Sequence, residues 1–289
     1  MKKPLFTGVC TALVTPFLDG KVNYPMLEML LRRQLDAGIG ACVICGTTGE
    51  APTLTDDEKL ELYRRSKEYV GDAMKIIAGT GTNSTEHTLY LSREAQKRGA
   101  DGLLVVTPYY NRPTPTGLLD HYIAVSKAVR LPIILYNVPV RTGCDIPVSV
   151  YKTLSAIDNI AGVKEASSDI SKITRIHAAC GRDLPIWTGN DPHITPAISL
   201  GAVGVISVLS NILPAETKLL TDAALDGDLD TATALQSTLS PLIDALFSES
   251  NPIPVKEALK LLGYDCGDCR LPLTAMTDVN RQKLKKLLG

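Results

Sequence analysis

The segment Ile160-Ala161-Gly162-Val163-Lys164-Glu165-Ala166-Ser167 has the apolar pattern of a buried strand, interrupted by one lysine. Lysine is among the residues that are least often fully buried. Burial favours the neutral form of an amine, and a neutral lysine amine can attack a ketone to form a Schiff base. If Lys164 lies at the carboxyl end of a barrel strand, the pattern predicts a covalent enzyme.

Seven other short apolar runs accompany this segment and alternate with amphipathic stretches of helical length. Most of the runs end in Gly, Pro, Thr or Asn, which are turn residues. Eight βα units in a chain of 289 residues predict a closed (β/α)8 TIM barrel of the α/β class. No Gly-x-Gly-x-x-Gly follows the first strand, which disfavours an open dinucleotide-binding sheet. The predicted strands are Gly8–Pro16, Ala41–Gly46, Ile76–Gly81, Leu103–Pro108, Ile133–Pro139, Ala161–Ala166, Ile186–Gly189 and Gly204–Leu209.

Helical patterns fill the gaps between the strands and continue after the eighth. Asn23 is the predicted N-cap of the first helix, and Thr55–Glu58 forms a predicted capping box. The chain is therefore divided into a catalytic barrel, residues 1–227, and a C-terminal helical appendage of three helices, residues 228–289. The predicted helices are Tyr24–Ala37, Thr55–Val70, Ser84–Arg98, Gly117–Val129, Ser149–Ile157, Ile170–Cys180, His193–Leu200, Pro214–Leu225, Leu229–Phe247, Pro254–Leu262 and Thr277–Leu288.

The overall charge is almost balanced, with 30 basic and 31 acidic side chains. No net field attracts nucleic acid or an anionic membrane, so small molecules or copies of the same chain are the expected partners. The segment Met1–Gly8 is basic but lacks the apolar core of a signal peptide. No apolar run approaches the ~20 residues that span a bilayer. A cytoplasmic location is therefore expected.

The seven cysteines are odd in number and widely spaced, which predicts free thiols. Cys42 and Cys45 fall in a strand pattern that sends their side chains to opposite faces, a poor geometry for chelation. Cys266 and Cys269 have a better zinc-knuckle spacing, but a four-ligand site needs both pairs to meet. The four histidines fall in or at the start of predicted helices, away from the strand ends. We therefore predict an amine mechanism with no metal and no cofactor.

Reactive and polar side chains gather at the predicted carboxyl ends of the strands, where a TIM barrel holds its active site. Each has an ordinary alternative: a lysine that snorkels to solvent, a core tyrosine, threonines chosen for β propensity, or a surface arginine. Their shared location, rather than any single residue, favours a functional site. The residues are Thr47, Thr48, Tyr109, Tyr110, Tyr136, Arg141, Lys164, Gly189, Asn190, Ile206 and Ser207.

Six motifs together resemble the dihydrodipicolinate synthase family, within the class I pyruvate-dependent aldolases, over nearly the whole chain. The resemblance implies condensation of pyruvate with L-aspartate-4-semialdehyde to give 4-hydroxy-tetrahydrodipicolinate. That reaction is the first committed step of the diaminopimelate route to lysine. The motifs are Gly8–Phe17 (GVCTALVTPF), Gly46–Glu50 (GTTGE), Pro108–Asn111 (PYYN), Tyr136–Thr142 (YNVPVRT), Gly162–Glu165 (GVKE) and Leu271–Leu273 (LPL).

The resemblance also implies a role for each site residue. Lys164 would form the Schiff base with pyruvate, whose carboxylate the backbone amides of Thr47 and Thr48 would hold. Tyr136 would transfer protons, and Thr48 would link it to Tyr110 of a neighbouring subunit. The remaining residues would complete the substrate pocket: Gly189 and Ile206 as its lining, and Arg141 as the partner of the second substrate's carboxylate.

Family members are commonly tetramers built from two tight dimers, so a homotetramer is expected, with Tyr110 crossing the tight-dimer interface. Two alternatives to the synthase stay open from the residues. A sugar-acid aldolase would use the same Schiff base, although Arg141 favours the dipicolinate branch. A non-catalytic barrel that senses a keto acid would bind pyruvate without turnover.

Some family members are inhibited by lysine at the dimer interface. Lys59 would repel a cationic effector, and His87 stands where lysine-sensitive relatives often carry a carboxylate. Weak or absent inhibition by lysine is therefore expected. The positions implied for that effector site are Ala51, Pro52, Asp56, Lys59, Asn83, His87 and Tyr109.

Overall fold

Eight parallel strands close into a barrel in a computed structural model that describes residues 2–289. Going round the barrel the order is β1, β4, β5, β6, β7, β8, β9, β10 and back to β1, with β2 and β3 forming a separate antiparallel hairpin. The predicted (β/α)8 barrel is confirmed. The strands are β1 (Gly8–Ala12), β2 (Phe17–Leu18), β3 (Lys21–Val22), β4 (Ala41–Ile44), β5 (Lys75–Gly79), β6 (Gly102–Val106), β7 (Ile133–Asn137), β8 (Ile160–Glu165), β9 (Ile186–Thr188) and β10 (Gly204–Ser207).

The barrel strands end earlier than the sequence predicts. The first was expected to reach Pro16, but β1 ends at Ala12, and the chain then turns into the β2–β3 hairpin, which the sequence pattern does not predict. Leu13 and Val14 are buried in this connection. The predicted strand was therefore too long, because buried apolar residues in a loop give the same sequence pattern as buried residues in a strand.

The twelve α-helices match the predicted ones to within three residues, apart from one single-turn helix that was not predicted. Asn23 caps α1 through the Met26 amide, and the Thr55–Glu58 capping box is present at α2. The unpredicted turn, α5, carries Arg141. The helices are α1 (Tyr24–Asp36), α2 (Asp56–Val70), α3 (Thr85–Lys97), α4 (Pro115–Ala128), α5 (Pro139–Thr142), α6 (Val148–Leu154), α7 (Ser171–Cys180), α8 (Ile194–Ser199), α9 (Pro214–Leu225), α10 (Leu229–Leu246), α11 (Ile253–Leu261) and α12 (Asp278–Leu288).

The hydrophobic core has two layers, as expected where strands alternate between the barrel interior and the surrounding helices. The larger layer lies between the barrel and the helices. The smaller one fills the barrel interior, where Trp187 stacks on Phe6 with ring centroids 4.7 Å apart, and Tyr136 and Ile206 belong to the same cluster. The barrel interior is therefore filled with side chains and is not an open channel.

The last three helices pack on the barrel at α8 and α9 and return towards the barrel mouth. Lys256 in α11 pairs with Glu50 at 2.8 Å, and the guanidinium of Arg270 pairs with Glu58 at the start of α2. Within residues 2–289 no helix has both the length and the apolar composition needed to cross a bilayer.

Candidate active site

Lys164 and Tyr136 are direct partners across the adjacent strands β8 and β7. Both side chains are buried at the barrel mouth, each about 6% exposed. The Lys164 Nζ lies over the face of the phenol ring, 4.4 Å from its centroid. The structure thus brings together an amine and a phenol that the sequence placed on two separate strand ends, at the carboxyl face predicted for the site.

Space around the lysine depends on the next strand end. A Cβ added at Gly189, which follows β9, would lie only 2.7 Å from the Lys164 Cε and 2.7 Å from the Ala166 Cβ. Any other residue at this position would displace the lysine side chain. Ile206 in β10 is completely buried in the barrel interior, in the same cluster as Tyr136. Gly189 is thus adjacent to the lysine side chain, and Ile206 shares a hydrophobic cluster with Tyr136.

The Gly46–Glu50 turn follows β4, and its backbone curls back on itself. The amides of Glu50 and Ala51 donate to the carbonyls of Thr47 and Gly46. No acceptor in residues 2–289 takes the amide hydrogens of Thr47 or Thr48, so both are free to bind an anion. Gly49 packs against the Cys45 backbone, 3.2 Å from where its Cβ would lie.

Thr48 is bonded to a residue that sequence reasoning missed. Asn251, which follows α10, donates from Nδ2 to the Thr48 Oγ1 at 2.9 Å. The carbonyl of the same asparagine accepts from the Arg141 Nη2 at 3.2 Å. Nothing in the sequence pattern around Asn251 signals this position, because the two bonded side chains are 203 residues apart.

Arg141 lies on the short helix α5 and is exposed at the barrel mouth. Its helix begins at Pro139 and ends at Thr142, and Gly143, which follows, takes the left-handed backbone conformation with φ of 66°. The Arg141 guanidinium is bonded to one backbone carbonyl and is otherwise exposed to solvent. Such a group can bind a carboxylate in a bidentate pair.

Tyr110 points away from this chain's own site. It is about 90% exposed and its backbone has a positive φ of 71°, which is uncommon for a residue other than glycine. Its amide donates to the Thr142 carbonyl at 3.4 Å, but among residues 2–289 its hydroxyl has no bond to Thr48 or Tyr136. Within a single chain, the structure does not bring Tyr110 to the lysine.

A polar network supports β7 and β8 from the side facing the helices. The buried Glu165 carboxylate accepts from the Asn137 Nδ2 at 3.0 Å and from the Tyr151 hydroxyl at 3.0 Å. Burial and the adjacent Glu165 charge raise the pKa of the Tyr151 phenol well above its usual value, so it stays a donor. Lys172 pairs with Asp145, and its Nζ lies 3.9 Å from the Glu165 Oε2. These contacts fix the two strands that present Tyr136 and Lys164.

A second buried carboxylate orders the strand end beside Ile206. The Asp191 Oδ2 accepts from the amides of Val208 and Leu209 at 2.9 and 3.0 Å. Burial raises the pKa of this carboxyl, although the Ser207 hydroxyl and the two amides oppose the shift.

The residues named for an effector site lie together near the starts of α2 and α3. The Asp56 carboxylate accepts from the His87 Nε2 at 2.9 Å and pairs with the Lys59 Nζ at 3.4 Å. Burial raises the pKa of Asp56, but the His87 hydrogen bond and the charges of His87 and Lys59 outweigh it, so the net pKa is lowered. The Asn83 carbonyl accepts from Asn111. The Asp56 carboxylate is therefore already paired with His87 and Lys59.

The first cysteine pair is not arranged as the strand pattern predicts. β4 ends at Ile44, and Cys45 turns with a positive φ of 57°, so Cys42 and Cys45 both lie in the layer between barrel and helices. Burial raises the pKa of the Cys42 thiol to about 12. All seven cysteines are free. Across residues 2–289 no group of three or more His, Cys, Asp or Glu side chains is placed to hold a metal ion.

The fold and the site define a class: a (β/α)8-barrel enzyme with a buried lysine beside a tyrosine at the carboxyl end of its strands. A family model described as the dihydrodipicolinate synthetase family matches residues 5–289. A 4-hydroxy-tetrahydrodipicolinate synthase of Caldicellulosiruptor saccharolyticus is 48% identical, over 99% of this chain and 97% of the relative. The chain belongs to the dihydrodipicolinate synthetase family, whose members are lyases.

Two solved structures extend the comparison, each with a TM-score of 0.96. The dihydrodipicolinate synthase of Acinetobacter baumannii in complex with pyruvate is 40% identical and covers 98% of this chain and 97% of its own. A monomeric dihydrodipicolinate synthase variant is 41% identical and covers 98% of this chain and 96% of its own. The same backbone is therefore found in a pyruvate complex and in a monomeric relative.

Proposed function

We propose that this chain condenses pyruvate with L-aspartate-4-semialdehyde to give 4-hydroxy-tetrahydrodipicolinate, the first committed step of the diaminopimelate route to lysine. The observation that carries the proposal is the buried Lys164 amine over the Tyr136 ring, in space that only a glycine at position 189 leaves open. The naming of the relatives as 4-hydroxy-tetrahydrodipicolinate synthases supports the choice of reaction.

In the proposed first half of the reaction, the Lys164 amine attacks the ketone carbon of pyruvate and gives a carbinolamine. Loss of water leaves an iminium, and loss of a methyl proton converts it to the enamine. The free amides of Thr47 and Thr48 are placed to hold the pyruvate carboxylate. Tyr136, in contact with the lysine, supplies and removes the protons of these steps.

In the proposed second half, the enamine carbon attacks the aldehyde of the semialdehyde, whose carboxylate pairs with Arg141. The amino group of that substrate then attacks the iminium carbon and closes the ring. Ring closure breaks the bond to Lys164 and releases the product, so the amine is regenerated and one water is lost overall. No external oxidant or reductant is needed, so the proposed reaction involves no cofactor.

Tyr110 completes the proposed proton path from a neighbouring subunit, through Thr48 to Tyr136. Its 90% exposure and its positive φ support an interface role, because an exposed tyrosine held in an unfavourable backbone conformation gains nothing within one chain. We propose a homotetramer of two tight dimers with Tyr110 crossing the tight-dimer interface. Sedimentation analysis tests it, and a fully active monomer would contradict it.

Three smaller proposals accompany this function. Residues 1–227 form the catalytic barrel and residues 228–289 a three-helix region that closes over its mouth, as the Asn251 contacts support. The enzyme works in the cytoplasm, where its seven free thiols stay reduced. Lysine inhibits it weakly or not at all, since Asp56 is already paired with His87 and Lys59.

The decisive experiment traps the Schiff base. The purified protein is incubated with pyruvate and borohydride, and its intact mass is measured. One reduced pyruvate per chain is expected, located at Lys164 by peptide mapping and absent from Lys164→Ala. Lys75→Ala is the matched control, because Lys75 is exposed at the amino end of β5. A protein that forms no adduct, or an adduct retained in Lys164→Ala, contradicts the proposal.

A further inference from the structure

Asn251 lies between the two halves of the site and contacts both through different atoms. Its side-chain Nδ2 donates to the Thr48 hydroxyl at 2.9 Å, and its backbone carbonyl accepts from Arg141 at 3.2 Å. The residue is about 5% exposed. It belongs to neither the barrel strands nor their loops, since it follows α10 in the C-terminal region.

The side-chain bond determines what the Thr48 hydroxyl can do. A hydroxyl has one hydrogen to donate and two lone pairs to accept with. Asn251 fills one lone pair, so the Thr48 hydrogen must point to a different acceptor. Among residues 2–289 no other group bonds to this hydroxyl, which leaves its hydrogen available to a reacting partner at the barrel mouth.

The hydrogen bonds of Asn251 do not satisfy its own side-chain amide. Its Oδ1 is buried and has no partner in the part of the chain that the structure describes. A buried acceptor without a partner lowers stability, so a packing role alone would favour an apolar side chain here. The residue keeps its amide although half of that amide is unsatisfied, which points to a use for the donor.

We propose that Asn251 is a positioning residue for this enzyme: its amide fixes the Thr48 hydroxyl as a proton donor towards Tyr136, while its backbone carbonyl holds Arg141. The inference rests on the proposed function. The three-helix region thus supplies a group that orders the proton path, and the two substrates' subsites are joined by a single residue. Only the bond to Thr48 uses the Asn251 side chain. A substitution at Asn251 therefore removes that bond and leaves the backbone carbonyl that accepts from Arg141.

Two substitutions test the side-chain role. In Asn251→Ala the donor is lost, and in Asn251→Asp it is replaced by a group of the same size that only accepts. Both variants are expected to lower kcat and the rate of pyruvate adduct formation roughly tenfold or more. The KM for the semialdehyde is expected to stay within about twofold, since the carbonyl that holds Arg141 remains. Asn159→Ala, at the opposite end of the barrel, is the control for loss of a half-buried amide that bonds to backbone carbonyls.

A double-mutant cycle identifies the route of action. If Asn251 acts through Thr48, adding Asn251→Ala to Thr48→Val costs little more than Thr48→Val alone. Effects that multiply would overturn the inference, as would an Asn251→Asp enzyme close to wild type, which a packing role predicts. If Asn251→Ala does not fold, Asn251→Asp carries both comparisons.

The failure of this inference is distinct from that of the proposed function. A wild-type protein that traps no pyruvate refutes the function itself. A wild-type protein that traps pyruvate at Lys164, with unimpaired Asn251 variants, refutes only the positioning role.

Discussion

Glu50 and Lys256 form an ion pair in which both side chains are almost entirely buried, with 2.8 Å between Oε1 and Nζ. Lys256 also donates to the Asp268 carbonyl, and the second Glu50 oxygen accepts from the Arg270 amide. Glu50 ends the turn that carries Thr47 and Thr48. The pair therefore links the Gly46–Glu50 turn, which is proposed to bind pyruvate, to helix α11.

Lys256→Met should lower the free energy of unfolding by about 3–5 kcal/mol, because it leaves the Glu50 carboxylate buried without a counter-charge. Urea denaturation followed by circular dichroism measures the loss. Lys218→Met is the control, since Lys218 pairs with Asp222 in a solvent-accessible position and its loss should cost below about 1 kcal/mol. Equal effects of the two substitutions would show that the buried pair contributes no more than a surface pair.

Gly189→Ala should reduce kcat about a hundredfold while the protein stays folded. The added Cβ would lie 2.7 Å from the Lys164 Cε, so the amine must leave its place over Tyr136. Steady-state kinetics and borohydride trapping both report the change. Gly40→Ala provides the comparison, because a Cβ there meets nothing within 4 Å. Normal trapping in Gly189→Ala would refute the steric argument.

Arg141→Ala should lower kcat/KM for the semialdehyde roughly tenfold to a hundredfold, as expected for the loss of a charge-assisted hydrogen bond. Pyruvate adduct formation should be unchanged, because Arg141 stands outside the Lys164–Tyr136 pair. The two measurements together also test the alternative of a sugar-acid aldolase. In that case Arg141→Ala would leave turnover of the preferred substrate intact.

Tyr110→Phe should lower kcat roughly tenfold or more, since the proposed path loses its outer hydroxyl. Mixing it with Lys164→Ala under conditions that exchange subunits should restore activity. In the hybrid dimer, one site combines an intact Lys164 with an intact Tyr110 from the other chain. No recovery in a verified hybrid would place Tyr110 outside the neighbouring site.

Lysine at micromolar concentration should leave the rate unchanged. The Asp56 carboxylate is occupied by His87 and Lys59, and the Lys59 ammonium repels a cationic effector. Initial rates at increasing lysine measure the effect. Potent inhibition in the micromolar range would contradict the expectation and would place a carboxylate elsewhere at this site.

The barrel architecture could be predicted from the sequence, because each strand and each helix has its own local pattern of apolar, turn and capping residues. Alternating turn residues and apolar runs predicted the eight strands, and Asn23 and Thr55–Glu58 predicted two helix starts. The six sequence motifs predicted the family to which the chain belongs. Strand ends were less well predicted, as Leu13 and Val14 show, because burial in a loop resembles burial in a strand.

Sequence alone places Lys164, Tyr136 and the Gly46–Glu50 turn at the ends of barrel strands, since strand order along the chain settles which ends share a face. The contacts around these residues depend on how the whole chain packs. Asn251 meets Thr48 across 203 residues and Lys256 meets Glu50 across 206. Such contacts leave no local periodicity, because they depend on how the C-terminal helices dock, and docking is a property of the whole packed core.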